Sequence, residues 1–91
     1  MLNDIKVINK LRKGFDESVI SQICDRTRKR IVHYCRMLAT ECCIRNGESA
    51  TKIGKKLKRD HSTISYYTKN FYKEYECNKE FRKFADKVLK E

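Results

Sequence analysis

The sequence predicts a small all-α domain. Among its 91 residues there is no proline and there are only three glycines, and few segments alternate apolar and polar residues as strands do. Because proline and glycine are the residues least compatible with a helix interior, helix is the expected state throughout. The length allows one modest core. We therefore expect one small domain, or one domain plus a docked arm, with an arm helix in residues 1–14, a central domain in 15–75 and a C-terminal helix in 76–91.

Helical periodicity places the first two helices. The first is predicted by an apolar residue at every third position, namely Leu2, Ile5, Ile8 and Leu11. Gly14 is its expected C-terminal cap. Asp16 is the expected N-cap of a short second helix, because its carboxylate accepts from backbone N–H groups that lack helical partners. The apolar face of the second helix comprises Val19, Ile20 and Ile23.

The longest helix is predicted to follow the basic segment and to form the centre of the core. It ends near Gly47, and its apolar positions have helical spacing: Ile31, Tyr34, Cys35, Leu38 and Cys42. Ser49 is the expected N-cap of a short helix with Ala50, Ile53 and Leu57 on one face. Gly54 inside this helix costs about 1 kcal/mol relative to Ala. We therefore expect another helix, the next one in the chain, to approach it closely.

Two further helices complete the chain. Asp60 is the expected N-cap of the first, whose inward face is Ile64, Tyr67, Thr68, Phe71 and Tyr75. The last helix is expected over residues 79–89, with Phe81, Phe84, Ala85 and Val88 as its apolar face. The pattern leaves open whether this helix packs back on the core or projects away from it.

The charge balance points to a polyanionic partner. Lys and Arg number 22 against 12 Asp and Glu, which gives a formal net charge of +10 and a pI of about 9.6. Such an excess causes self-repulsion, and nucleic acid is the partner that most simply explains it. No apolar run approaches the roughly 20 residues that span a bilayer, and the first residues lack a signal-peptide pattern. We expect a cytoplasmic protein with no membrane partner.

The sequence offers no pattern for a metal, a cofactor or catalysis. The chain has five cysteines, an odd number, without a paired metal-binding spacing even when His33 and His61 are added. We interpret them as small, reduced, buried apolar residues. No nucleophile lies at a readable spacing from a base, so we expect no enzyme. The phosphate-binding loop G-x-x-x-x-G-K-[ST] is absent, so we expect no ATP site in this chain.

A short helix, a tight turn and a second helix predict a helix-turn-helix whose recognition helix begins at Asp60. In that layout the first residues of the second helix contact base edges in the major groove, here His61, Ser62 and Thr63. An ordinary N-terminal cap also explains Asp60 and Thr63. Two basic blocks favour DNA binding, one around the turn and one, "RTRKR", ahead of the central helix. A protein-interaction module is the main rival, because Tyr66, Tyr67, Tyr72 and Tyr75 crowd one region.

Three motifs occur in order between Arg28 and Phe71. They are Leu38-Ala39 followed by Glu41, then Ile53-Gly54, then Arg59-Asp60-His61-Ser62-Thr63-Ile64. This arrangement resembles the C-terminal DNA-binding domain of the bacterial chromosomal replication initiator DnaA, where the last motif reads Arg-Asp-His-Thr-Thr-Val. A weaker match extends the resemblance upstream to about residue 15. The resemblance implies a Trp-repressor/DnaA domain IV-like fold and sequence-specific binding of double-stranded DNA in replication initiation or its regulation.

The resemblance also implies roles for individual residues. Asp60, His61 and Ser62 would contact bases or hold the reading loop, Thr63 would bind phosphate, and residues 26–30 would form an arm reaching the adjacent minor groove. The full set of predicted DNA contacts is Arg26, Arg28, Lys29, Arg30, His33, Thr51, Lys52, Lys58, Arg59, Asp60, His61, Ser62, Thr63, Ser65, Tyr66 and Lys69.

The chain departs from the family pattern at several positions. Val32 and His33 stand where the family usually has Arg-Gln, Thr51 where proline is common, and Lys58 where two glycines are typical, so backbone docking and the recognised sequence need not be the initiator's own. Without a nucleotide loop, the chain is either an excised C-terminal domain or a stand-alone protein of a phage or mobile element, such as a transcriptional regulator. Met1 and the compact length favour the stand-alone version.

Overall fold

Six helices follow one another through residues 2–90, the part of the chain that this computed structural model describes. They are α1 (Ile5–Leu11), α2 (Glu17–Ile20), α3 (Arg30–Arg45), α4 (Ala50–Leu57), α5 (His61–Cys77) and α6 (Lys79–Leu89). No residue between 2 and 90 is in a β-strand. The all-α prediction is confirmed.

Helix α3 is the centre of the molecule and contacts each of the other five helices. Every side chain from Tyr34 to Cys43 is buried, because neighbours surround the middle of the helix on all sides. The expected stop at Gly47 is confirmed, since its φ of +81° is one that glycine adopts without steric cost. α3 was predicted to be the longest helix, which is wrong. It has 16 residues, whereas α5 runs for 17 because no glycine or proline interrupts it.

The two terminal helices close the same core. α6 packs back against α5, α3 and α1, which decides the question that the sequence left open. Phe81, Ala85 and Val88 of α6 are buried, and Phe84 stacks on Phe15 with ring centroids 4.7 Å apart. One apolar cluster extends from Leu2 to Val88.

Helix α1 differs from its predicted form. It begins at Ile5, because the Asp4 carboxylate accepts a hydrogen bond from the Val7 backbone N–H at 3.3 Å. Ile5 is 71% exposed and Val7 is fully buried, so the apolar stripe was assigned wrongly at one position. Gly14 is not a left-handed cap. It lies instead where α6 approaches, and a Cβ built on it would be 3.1 Å from Val88 Cγ2.

The predicted N-caps are confirmed in position but not all in bonding. Ser49 accepts from the Lys52 N–H at 3.2 Å and caps α4 as expected. Asp16 and Asp60 occupy the N-cap positions of α2 and α5, yet neither side chain makes a capping hydrogen bond. The Asp60 carboxylate accepts from the Ser62 hydroxyl at 3.0 Å instead.

The five cysteines are all free thiols, and the interpretation of them as buried residues is correct for three. Burial raises the pKa of Cys35 and Cys43 to about 12 and that of Cys42 to about 11. Cys24 is half-buried, and Cys77 at the end of α5 is exposed, which contradicts the interpretation there. Among the described residues, no helix is both long and apolar enough to cross a bilayer.

Candidate nucleic-acid interface

The α4–turn–α5 unit carries the motif that the sequence singled out. α4 ends at Leu57, three residues form the turn, and α5 begins at His61. Ile53 and Leu57 of α4 and Ile64 of α5 are fully buried. Among the helices of the fold, α4 and α5 make the most extensive contact with each other. Their shared apolar contact fixes the angle at which α5 leaves the turn.

Gly54 lets the turn fold back on α4. A Cβ at this position would lie 2.6 Å from the carbonyl oxygen of Arg59 and 3.5 Å from the backbone nitrogen of His61. The predicted close approach is therefore present, but the turn backbone makes it, not the body of the next helix. The Arg59 N–H donates to the Gly54 carbonyl at 2.9 Å and completes this contact.

Lys58 makes the turn possible at a conformational cost. Its φ of 54° and ψ of 46° are left-handed helical, a conformation that is unfavourable for a side chain with a Cβ. It is the only non-glycine residue among the described ones with positive φ. The Lys58 side chain is exposed beside the start of α5.

The first turn of α5 presents short polar side chains to solvent. His61 and Ser62 are exposed, and Thr63 is half-buried. His61 Nδ1 lies 3.1 Å from the Asp60 carboxylate, and the Ser62 hydrogen bond holds the pKa of that carboxyl group below its usual value. Asp60 therefore orients both neighbouring side chains at the tip of the helix.

A cationic loop (Asp25–Lys29) lies beside this turn. Its backbone is held by Arg36 from the middle of α3, which is 4% exposed. The Arg36 guanidinium donates to the carbonyl oxygens of Ile23 at 2.8 Å, Thr27 at 2.9 Å, Gln22 at 3.3 Å and Asp25. Burial is the main reason that the pKa of Arg36 is lowered.

Arg59 connects the cationic loop to the turn. Its guanidinium donates to the Asp25 carbonyl, the same oxygen that Arg36 binds, and to the Lys58 carbonyl at 3.0 Å. The two basic blocks are therefore adjacent, as a shared binding surface requires. Among residues 2–90, Arg26, Arg28 and Lys29 have no carboxylate within salt-bridge distance.

None of the predicted DNA contacts is buried. Those that are exposed are Arg26, Arg28, Lys29, Arg30, Thr51, Lys52, Lys58, Asp60, His61, Ser62, Tyr66 and Lys69, and those that are half-buried are His33, Arg59, Thr63 and Ser65. Two of them also have contacts inside the fold. Arg30 Nη1 lies 3.7 Å from Glu80 of α6, and the His33 ring packs edge-on against Tyr67 with centroids 5.6 Å apart.

Arg36 is the residue that the sequence reasoning missed. No role was predicted for it, because arginine is ordinarily an exposed residue. It lies one turn after Val32 and one turn before Thr40, both of which are buried. That position on the face was the available signal.

A second cluster joins α1 to α4 through Lys56. The Lys56 ammonium lies 2.7 Å from Asp4 and 2.6 Å from Glu48, and the hydrogen bond to Lys56 is the main reason that the pKa of Asp4 is lowered. Potential ligand atoms of Asp4, Cys43 and Glu48 lie within 4.8 Å of one another. The ammonium contacts both carboxylates, including the buried Glu48 Oε1, so we assign an ion triad of Lys56, Asp4 and Glu48.

A groove of about 500 Å³ runs between α5 and α6, toward the C-terminal end of α5. Its lining comprises Arg45, Phe71, Tyr72, Tyr75, Ala85, Asp86, Leu89 and Lys90. Tyr72 is 65% exposed, whereas Tyr75 is half-buried and donates its hydroxyl hydrogen bond to Asp86 at 2.5 Å. The tyrosines of α5 thus divide between this groove, the core at Tyr67 and the exposed Tyr66.

Comparison with known proteins does not indicate a function. No family model matches the chain, and neither a curated protein nor a solved structure matches it.

Proposed function

We propose that this protein binds double-stranded DNA sequence-specifically, with α4 and α5 acting as a helix-turn-helix and α5 as the recognition helix. The observation that carries the proposal is the Asp25 carbonyl, which binds Arg59 of the turn and Arg36 behind the cationic loop. It joins the turn that begins the reading helix to a loop whose cations Arg26, Arg28 and Lys29 have no carboxylate within salt-bridge distance among residues 2–90. Sequence-specific binding of duplex DNA requires both features, because phosphate contacts position the protein and base contacts determine specificity.

In this proposal the tip of α5 reads base edges in the major groove. His61 and Ser62 are exposed and short, so the helix backbone approaches the bases closely. The three-residue turn and the close approach at Gly54 match the compact junction of helix-turn-helix units. The motif resemblance to the DNA-binding domain of DnaA supports the same assignment, with a role in replication initiation or its regulation.

The cationic loop supplies phosphate contacts beside the reading helix. Arg26, Arg28 and Lys29 are exposed, and they follow Asp25, whose carbonyl binds Arg59 of the turn. Each cation that neutralises a phosphate releases a counterion and steepens the fall of affinity with salt. This part of the interface contributes affinity for any duplex sequence.

The test separates base reading from phosphate neutralisation. Bound sites are first selected from a random duplex library, and each variant is then titrated on the selected site and on a scrambled one at several salt concentrations. Ser62→Ala should lose about 1 to 3 kcal/mol of binding free energy on the selected site and little on scrambled DNA. Lys29→Gln should weaken binding to both and reduce the log–log salt slope by about one.

Lys87→Gln is the matched control for charge. It removes one exposed cation from α6, near Gly14, and should leave both the affinity and the salt slope nearly unchanged. Circular dichroism checks that each variant is folded. Folded Ser62→Ala and His61→Ala proteins that keep full preference for the selected site would show that α5 is not the reader.

A protein-interaction role is the second candidate, and the groove between α5 and α6 favours it. The lining of the groove combines the exposed Tyr72 ring with Phe71 and Tyr75, and an apolar groove of this kind can hold an amphipathic helix or a peptide. An interface of this kind is largely apolar, so its affinity should change little between low and high salt, unlike duplex binding. Tyr72→Ala should weaken the binding of such a protein partner and leave the affinity for DNA unchanged.

A further inference from the structure

We infer that Arg36 and Arg59 are positioning residues that hold the cationic loop in its DNA-binding conformation before DNA arrives. The inference rests on the proposed function and adds how the interface is preformed. In a basic DNA-binding protein, an arginine next to the interface would ordinarily be assigned to phosphate. Arg36 cannot take that role, because it is 4% exposed and four of its five N–H donors already bind carbonyl oxygens inside the fold.

The geometry of the guanidinium explains why arginine is needed. It is a planar fork with five donors, and here it reaches four carbonyl oxygens spread over residues 22 to 27. Residues 21–24 form the turn that follows α2, and residues 26–29 have no regular secondary structure. Their carbonyl groups have few helical or strand partners, so Arg36 replaces the hydrogen bonds that secondary structure would provide.

The loop lies at the edge of the molecule, where disorder would be the ordinary outcome. Arg26, Arg28 and Lys29 are like charges at close spacing, and their repulsion favours an open, mobile chain. Fixing one residue of such a chain costs about 1 to 2 kcal/mol of conformational entropy. Because Arg36 bonds the loop in the free protein, that ordering does not have to accompany DNA binding.

Arg59 extends the same arrangement to the recognition helix. It belongs to the turn that Gly54 holds against α4, and it donates to the Asp25 carbonyl that Arg36 also binds. The loop and the start of α5 therefore share one anchoring oxygen. The distance between the phosphate-binding and base-reading parts is set by the fold and does not depend on the DNA.

Nitrogen-15 relaxation of the free wild-type protein tests the inference without any variant. Backbone order parameters over residues 25–29 should be close to about 0.85, as in a rigid backbone. Values below about 0.6 in the free protein, rising only on addition of duplex DNA, would overturn the inference, because the loop would then be ordered by DNA. This measurement stands even if the protein fails to bind DNA.

Arg36→Lys tests the same point with the charge retained. A lysine keeps the net charge but has no planar fork, so the order parameters of the loop should fall. Affinity for selected and scrambled duplex should decrease together by about tenfold, the equivalent of ordering roughly one residue, with an unchanged salt slope. Arg28→Lys, an equal exchange at an exposed position of the loop, should leave the order parameters unaltered.

Two results would contradict the role of Arg36. In Arg36→Gln, which removes the charge that Arg36→Lys retains, a salt slope reduced by about one, as for Lys29→Gln, would mean that Arg36 itself binds phosphate. Unchanged loop order and unchanged affinity would mean that the four hydrogen bonds are dispensable. If Arg36→Lys does not fold, Arg59→Lys removes only the exposed half of the arrangement and should lower the order parameters at Asp25 and Arg26. If the wild-type protein does not bind duplex DNA, the proposed function is refuted, whereas the order of the loop in the free protein is still decided by relaxation.

Discussion

Gly54→Ala is the substitution that most directly tests the geometry of the turn. In an exposed helix interior, replacing glycine by alanine stabilises a protein by about 1 kcal/mol. Here the new Cβ would lie 2.6 Å from the Arg59 carbonyl oxygen. The obstacle is backbone, which has no rotamer to change, so the turn would have to retreat by roughly 0.8 Å to reach ordinary contact.

The expected result is a net loss of stability. Overpacking of this kind costs typically 1 to 3 kcal/mol, and it exceeds the helix-propensity gain when a backbone carbonyl must move. We expect the free energy of unfolding to decrease by about 1 to 2 kcal/mol. Urea titration monitored by circular dichroism at 222 nm measures this change, with the m-value showing whether the folded state remains as compact.

Lys55→Ala provides the comparison within the same helix. Lys55 is exposed and adjacent to Gly54, and its substitution should change stability by less than about 0.5 kcal/mol. Moving the Arg59 carbonyl also shifts the residue that binds Asp25, so Gly54→Ala should weaken duplex binding as well. A Gly54→Ala protein that is more stable than the wild type would refute the packing of the turn against α4.

The remaining predictions concern charge, pH and thiols. Lys56→Met should lower the free energy of unfolding by at least about 2 kcal/mol, because it leaves the two mostly buried carboxylates of Asp4 and Glu48 without their cation. Lys55→Met should leave the free energy of unfolding nearly unchanged, and urea titration measures both. Burial lowers the pKa of His33 in the folded protein, so the unfolded state binds its proton first and stability should fall as pH decreases below the unfolded value of about 6.5; His33→Gln should remove this part of the pH dependence. A thiol reagent at pH 8 should modify Cys77 before the other cysteines, because Cys77 is exposed and the reaction requires access to the thiol. Protection until global unfolding is expected for the three buried thiols, Cys35, Cys42 and Cys43. Lys58→Gly should raise the free energy of unfolding by about 0.5 to 1 kcal/mol, because glycine adopts the left-handed conformation at lower cost; denaturation midpoints measure it.

Local patterns predicted the helices well where one face is buried and the other exposed. The bounds of α6 and the cap at Ser49 are correct because they depend on nearest neighbours in the chain. α3 was harder to describe, since its middle is surrounded and even Arg36, Thr40 and Glu41 are buried. A polar residue that is buried through distant partners leaves almost no trace in periodicity.

The sequence pointed to the residues of the candidate site but not to the contacts that bring them together. The polar tip of α5 and the basic segment were both visible in the sequence, 30 or so positions apart. Their adjacency depends on hydrogen bonds from Arg36 and Arg59 to backbone carbonyls. Such bonds have no side-chain signature on the accepting residue, so sequence patterns do not report them.

Lys58 shows how stability and binding oppose each other in the proposed interface. The turn requires one residue with positive φ, and glycine satisfies that requirement best. Lysine accepts the strain but places an exposed cation beside His61, at the edge of the surface that also holds the cationic loop. If the turn served only the fold, glycine would be the better residue. A strained lysine there is consistent with a contribution to phosphate binding, so Lys58→Gly should stabilise the protein and at the same time reduce its salt slope on duplex DNA by about one. A gain in stability with an unchanged slope would leave Lys58 as a residue of the turn alone.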